Sequence, residues 1–332
     1  MRRTRYVLLA AAAVLASSLS ASAQTGRADP CGAGLRVAAQ AEDHVVCSHG
    51  PDPLSDLGLT TEPAPPAPCV GDGVSGPRVH LVYGVPSDRP YDYDSKVSLV
   101  RGAADAADLA FETSDSDTTQ HLRWLCTNGT LRVDSAVLAP VGADGVFTFA
   151  DMYNSLARTK GKKASASPFK DPNHVYVVFV DGLDSSSYPY CGQGQVENDD
   201  SPGVTNRNNS GPAYSLIACW DGETTLHEIG HNLGAVQHSA PHSSGAFHCY
   251  DESDVMCYDD EGPYFAGPDR QYGTTDDRPL VQACAGPGTL LGGAVEDRQF
   301  DCNQDDYYDP TPAAGSYLAT HWNIADSAWV EG

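Results

Sequence analysis

Thr225-Leu226-His227-Glu228-Ile229-Gly230-His231-Asn232-Leu233-Gly234 is the stretch on which the reading of this chain turns. On a helix, residues four apart share a face, so His227 and His231 can offer two imidazoles to one metal ion. Leu226, Ile229, Gly230 and Leu233 form a second, apolar stripe that would dock the helix on a sheet. Glu228 adjoins both candidate ligands, where its carboxylate can hold a water and take its proton. Gly234 suits the left-handed conformation with which helices commonly end. The competing reading is a chance HExxH on an ordinary amphipathic helix. Against it stands the crowding of five of the eleven histidines (His227, His231, His238, His242 and His248) into 22 residues.

Upstream of this helix the pattern is that of a mixed α+β domain. Val79-His80-Leu81-Val82-Tyr83 reads as a strand, and residues 95–111 carry Val97, Val100, Ala104, Ala107 and Phe111 at helical spacing. Residues 121–126 and 130–138 read as a strand pair joined through Asn128-Gly129, a strong hairpin signal. A second helix is expected over residues 149–160, with Thr148 as N-cap and Asp151 three residues on. Val175-Tyr176-Val177-Val178-Phe179-Val180 is continuously apolar and β-branched, as in a central strand buried on both faces. Residues 182–212 are long, polar and glycine-rich, which in a packed domain marks a functional or ion-bound segment. Tyr214 to Cys219 then reads as a short strand leading into the motif helix.

The amino terminus reads as an address. Arg2, Arg3 and Arg5 precede an apolar run, followed by Ala21-Ser22-Ala23, so residues 1–23 have the form of a signal peptide with an A-x-A cleavage site. Its removal takes away three arginines and no acid, moving the net charge from −24 to −27. Such an acidic surface repels phosphate backbones and anionic lipid, so neither nucleic acid nor a membrane is expected as a partner. Residues 24–76, rich in Pro, Gly and Asp, read as an extension, pro-segment or linker, and residues 77–332 as one catalytic domain. All ten cysteines survive cleavage, and an even number in an exported chain suggests disulfides. Spacing makes Cys31/Cys47, Cys191/Cys219 and Cys249/Cys257 the simplest pairs without fixing the connectivity. If all ten pair, at least one of the three cysteines upstream of Pro77 must bridge into the domain, for example Cys69 to Cys126.

With Asp254-Val255-Met256-Cys257-Tyr258 downstream, the chain resembles the metzincin zinc peptidases, whose extended motif is HExxHxxGxxH followed by a methionine turn. The resemblance spans about residues 77–325. More narrowly, Tyr190-Cys191-Gly192, Cys219-Trp220, the motif helix, Ser239-Ala240-Pro241-His242 and residues 315–323 are similar to secreted actinobacterial metallopeptidases. It implies a metzincin-like domain with a mixed twisted sheet, two long helices and an active-site helix. It also implies Met256 as a hydrophobic floor under zinc and Tyr258 as a transition-state donor. The chain departs from the family at the third ligand: Gln237 stands where the family has histidine, and a neutral amide is a weak zinc ligand. His238, His242 and His248 are the alternatives, with His242 preferred because the narrower relatives retain Ser-Ala-Pro-His.

The expectation is therefore a secreted, monomeric zinc endopeptidase acting on protein or peptide substrates, with His227, His231 and His242 as ligands and Glu228 and Tyr258 as catalytic groups. The alternatives are a zinc hydrolase of a non-peptide substrate and a binding protein with a vestigial zinc site. Calcium is a second candidate cofactor, through Asp301-x-Asn303-x-Asp305-Asp306 or through Asp199-Asp200 with Asn208-Asn209.

Overall fold

In the computed structural model, the residues described are 30–332 apart from 41–43, 54–63, 115–118, 143–144, 158–167, 184–189, 253, 259, 261, 263–264, 270, 272, 279–280 and 283–298. The expected signal peptide, the last turn of the second helix to Lys160, and Cys284 lie outside them. In chain order the elements are β1 (Arg36–Gln40), β2 (Val45–Ser48), β3 (Arg78–Pro86), α1 (Tyr93–Thr113), β4 (His121–Leu122), β5 (Cys126–Thr127), β6 (Thr130–Leu131) and β7 (Val133–Leu138). They continue with α2 (Phe149–Ala157), β8 (His174–Val180), β9 (Gly192–Gly194), β10 (Ala213–Ile217), α3 (Gly222–Leu233), β11 (Asp251–Glu252), β12 (Val281–Gln282) and β13 (Val330–Glu331).

A five-stranded mixed sheet with the order β7-β3-β8-β10-β9 organises the protein. β3, β7, β8 and β10 run parallel and β9 lies antiparallel along the edge of β10. β8 is central, as its uninterrupted apolar run requires, because neither of its faces meets water. On one face Val79, Leu81, Tyr83, Val175, Val177 and Phe179 pack against Ala104, Ala107 and Phe111 of α1 and Leu226, Ile229 and Leu233 of α3. On the other, Val82, Tyr176, Val178 and Leu216 pack against Met152 and Leu156 of α2 and against Ala39 and Val46 of the β1–β2 hairpin. Each fully buried Val, Leu, Ile or Phe contributes about 1.5–3 kcal/mol, so the two layers hold the motif helix firmly on the sheet.

Local signals set the element ends. At α2, the Thr148 hydroxyl accepts from the Asp151 N–H at 3.2 Å while the Asp151 carboxylate accepts from the Thr148 N–H at 2.9 Å, a reciprocal cap. Asn128-Gly129 does turn a hairpin, but only β5 and β6 form it. The strand pair expected around that turn divides: β7 continues into the main sheet beside β3, and β4 pairs instead with the carboxy-terminal β13. Local turn chemistry is visible in sequence; the partner of each flanking strand is set by the distant core.

Four disulfides join Cys31–Cys47, Cys69–Cys126, Cys191–Cys219 and Cys249–Cys257, and Cys302 is disulfide-bonded as well. Among the described residues no helix is long and apolar enough to cross a membrane. Both features are compatible with an extracellular protein. The packed domain reaches further upstream than Pro77, because Cys69 is tied to Cys126 and the Ala67 N–H donates to Asp105 at 2.9 Å. The β1–β2 hairpin, read from sequence as part of an extension, lies against α2 and the sheet.

Candidate metal centre

The motif helix α3 is fixed at both ends. The Asp221 carboxylate accepts the Thr224 N–H at 2.7 Å, and Gly234 closes the helix at φ 86° with its N–H on the carbonyls of Gly230 and His231. The indole of Trp322 donates to the Leu233 carbonyl at 2.7 Å, satisfying another terminal acceptor. Ser215 of β10 donates to the Glu228 carbonyl at 2.9 Å, and Asn232 donates to the backbone of Gln195 and Tyr214. The helix cannot rotate without breaking these bonds, so the direction of its histidines is set by the frame.

His227 donates from Nδ1 to the Val255 carbonyl at 2.6 Å, which turns Nε2 inward. That nitrogen lies 3.1 Å from Nε2 of His231. Donors 2.0–2.1 Å from one tetrahedral ion stand about 3.3 Å apart, so the pair is spaced as two ligands of a common cation would be. Met256 is fully buried under the helix; a Cβ on Gly230 would come within 2.7 Å of its sulfur, so only glycine allows this approach. Asp254 holds the turn, accepting from the Met256 N–H at 2.7 Å and the Tyr307 hydroxyl at 2.5 Å.

His248 also lies at this centre. It is buried, its Nδ1 lies 2.8 Å from Asp260, and its ring lies 5.0 Å from that of His231. His242, the residue preferred from sequence, sits elsewhere: its backbone N–H and Nδ1 both address Asp306, at 2.8 and 3.1 Å, with Asp305 at 3.5 Å. The chain does not turn back after Pro241 to bring it to His227; it crosses to the Asp306 carboxylate, and His248 is carried in by the strand-like pairing of Cys249 with Cys257. His238 packs on Phe247, ring centroids 4.3 Å apart, beside Gly34. Gln237 has a structural task. Its amide accepts from the Asp199 N–H and donates to the carbonyls of Glu197 and Gly234, stitching the long loop to the end of α3.

Two further groups come from the segment that sequence placed outside the domain. Asp52 and His49 are buried at the same centre. One Asp52 oxygen lies 3.4 Å from His227 Nε2 and 3.2 Å from His248 Nε2, and it accepts the Tyr258 hydroxyl. The other lies 3.5 Å from His49 Nε2. Donor atoms of His49, Asp52, His231 and His248 fall within 4.8 Å of one another, as do those of Asp52, His227 and Glu228. No periodicity or motif marks His49 or Asp52 in Ser48-His49-Gly50-Pro51-Asp52; their role arises from long-range packing alone.

Buried polar atoms ordinarily find partners, and leaving one without costs about 1–3 kcal/mol. Here Nδ1 of His231 is buried with no hydrogen-bond partner among the described residues, Nε2 of His49 and of His248 face Asp52 at 3.5 and 3.2 Å, and the buried Glu228 carboxyl meets Asp52 as well. A buried cluster of imidazole and carboxylate donors within 4.8 Å of one another could hold a cation, and that donor set suits zinc, copper, iron or nickel. Protein charges alone tune the same groups. Burial, then the Asp52 charge, pushes the Glu228 carboxyl well above the usual range. Burial raises Asp52 too, but the imidazoles of His49 and His227 outweigh it and hold the carboxyl low. Burial, then His49 and His227, lowers His231, and burial brings His49 down to about 3, so both rings present lone pairs.

The calcium candidates read differently in three dimensions. The Asp301 carboxylate accepts backbone N–H groups from Asp305, Asp306, Tyr307 and Tyr308, while Asp305 and Asp306 gather with His242 as a second group that could hold a metal ion. Asp199 is likewise taken up by Ser201 and the Arg207 N–H, and the Asn206 and Asn208 amides point to carbonyls.

The fold and site thus define a disulfide-bonded α+β protein with a buried His/Asp centre that could bind a metal ion. Compared with known families, curated proteins and solved structures, the chain shows no significant match to any.

Proposed function

We propose that this chain is a secreted zinc-dependent endopeptidase of the metzincin type, with His227, His231 and His248 as metal ligands and Glu228 as general base. The observation that carries the reading is the 3.1 Å approach of the two HExxH imidazoles, His227 and His231, beside two overlapping buried groups that share Asp52, one with His231 and His248 and the other with His227 and Glu228. A zinc ion held there supplies Lewis acidity to a water and to the substrate carbonyl. Glu228 takes the proton of the attacking water and delivers it to the leaving amine; its raised proton affinity suits the second half of that task. Tyr258, once its hydroxyl is free of Asp52, donates to the carbonyl oxygen as charge develops, a contact of about 2.7–4 kcal/mol in comparable sites. Gly192–Gly194 offers the backbone edge along which an extended peptide can pair. A Cβ on Gly192 would collide with the Glu228 carboxylate, so the edge passes directly over the base.

A second reading, a metal-binding protein whose site is closed, is favoured by the presence of His49 and Asp52 at the centre. Zinc content and casein cleavage by the whole chain and by a chain beginning at Ala67, each with and without chelator, separate the two. Cleavage that the chelator stops supports the peptidase; zinc-loaded protein that leaves casein and a mixed peptide library intact in both forms sinks it.

A further inference from the structure

We infer that His242, Asp305 and Asp306 form a second zinc site, separate from the centre beside α3, which joins the loop after the motif helix to the carboxy-terminal segment. It does not depend on the peptidase reading above.

The first support is the donor set. His242 Nδ1 lies 3.1 Å from one Asp306 oxygen and 3.5 Å from one Asp305 oxygen, and one donor atom from each residue falls within 4.8 Å of the others. Donors about 2.0–2.2 Å from one tetrahedral ion stand roughly 3.3–3.6 Å apart, so an ion fits among them with little movement. One imidazole with two carboxylates suits zinc, whereas calcium and magnesium take oxygen ligands. The calcium expected from the sequence of this segment is therefore not the cation these residues select.

The second is charge. Asp306 is buried, and its other oxygen accepts the His242 N–H at 2.8 Å. The Asp305 oxygen that faces His242 is shielded from water and makes no hydrogen bond among the described residues. Nδ1 has at most one proton to give, and a protonated imidazole would still leave two carboxylates facing one positive charge. Buried charge without full compensation is costly, and a divalent ion removes the imbalance.

The third is the frame. The Asp301 carboxylate accepts the N–H groups of Asp305 and Asp306 at 3.1 and 3.2 Å, so the backbone of both carboxylate ligands is held in place. Residues 242–250 double back, with the Tyr250 N–H on the His242 carbonyl at 3.1 Å and the Ser244 N–H on the His248 carbonyl at 2.7 Å. His242 and His248 thus occupy the two arms of one hairpin. The His242 and Asp305 side chains are 26% and 44% exposed, which gives an ion a way in and lets water complete its shell. With a single imidazole and a half-exposed carboxylate, this is the weaker of the two sites.

The test dialyses the full chain to equilibrium against buffered zinc chloride, with calcium chloride in a parallel arm. Bound metal is counted in the wild type, Asp305→Asn, His242→Gln and His231→Ala. Asp305→Asn keeps the shape of a half-exposed side chain, so it probes the site without disturbing the core. The expected result is two zinc equivalents in the wild type. The weaker one should lose about tenfold or more in affinity in Asp305→Asn and His242→Gln and persist in His231→Ala. A single equivalent that Asp305→Asn loses and His231→Ala keeps leaves this site standing and removes the one beside α3. A weaker equivalent unchanged in both Asp305→Asn and His242→Gln overturns the site, as does a wild type whose one equivalent disappears in His231→Ala. Calcium bound here in preference to zinc overturns the choice of cation.

Discussion

Two groups of histidines lie at separate places on this sheet, and they differ in one respect that matters. Near the start of the strands, His80 lies 2.9 Å from Asp134 and 3.3 Å from His174, and His174 is 3.3 Å from the Tyr176 hydroxyl. Arg132 completes that group with a 2.8 Å ion pair to Asp134. Beside α3, by contrast, Nδ1 of His231 is buried without a hydrogen-bond partner among the described residues, and Nε2 of His49 and of His248 crowd around one shared carboxylate, Asp52. Histidine content is shared; the way the rings are tied down is not. A group whose imidazoles each have their own framework partners is part of the framework, whereas buried imidazoles gathered around a shared carboxylate are a place for a cation.

The largest effect that would test this contrast is on catalysis. Glu228→Ala removes a fully buried carboxyl that meets Asp52 and is not among the imidazole ligands, so the protein should keep its zinc while peptide hydrolysis falls by about 10²–10⁴. His80→Ala is the counterpart: it should lower the melting temperature and leave zinc content and turnover unchanged. Substantial turnover in Glu228→Ala, measured on purified protein, would remove the base from the mechanism.

Next in size is metal affinity. His248→Ala should weaken zinc binding by more than about 100-fold in a competition titration, and His242→Ala should leave it within about twofold, because His242 is engaged with Asp306. The reverse outcome would mean that the loop after Pro241 adopts a different path. Asp260→Asn acts one step further out. Asp260 also accepts the Ser244 hydroxyl at 3.0 Å, so it is a fixed partner for His248 Nδ1, and losing its charge should cost about 10–100-fold in zinc affinity without removing a ligand.

The same contrast explains what was legible beforehand. α1, α3, β3 and β8 announce themselves through local periodicity, and His227, Glu228 and His231 through spacing on one turn of helix, because both signals are confined to a few consecutive residues. The edge strand β9 is three residues long and two of them are glycines, so it carries no apolar pattern at all. His248 was one of three candidates, and spacing alone favoured none, since its approach depends on the Cys249–Cys257 link and on Asp260. His49 and Asp52 lay in a tract whose composition reads as linker. Their placement follows from the local Cys31–Cys47 link and from backbone pairing with β9, an interaction that spans more than a hundred residues.

The smallest effect belongs to the framework group and concerns acid. Burial, then the charge of His80, lowers His174 to about 4, whereas an unfolded histidine titrates near 6.5. Between these values the unfolded chain takes up a proton that the folded chain does not, so stability falls as pH drops through 6.5 towards 4 and the slope ends below it. Asp134 is held at about 2, chiefly by the hydrogen bond from His80, and its contribution is lost only in a lower window, as pH falls from about 3.8. Because His174 is only about half buried, solvent screening limits its share to about 1 kcal/mol or less. His174→Gln should therefore flatten the pH dependence of urea unfolding between pH 6.5 and 4, leaving the acid limb below pH 3.8 in place. An unchanged slope in the upper window would mean that the acid sensitivity there comes from the imidazoles beside α3, and that the two groups differ less than their hydrogen bonds imply.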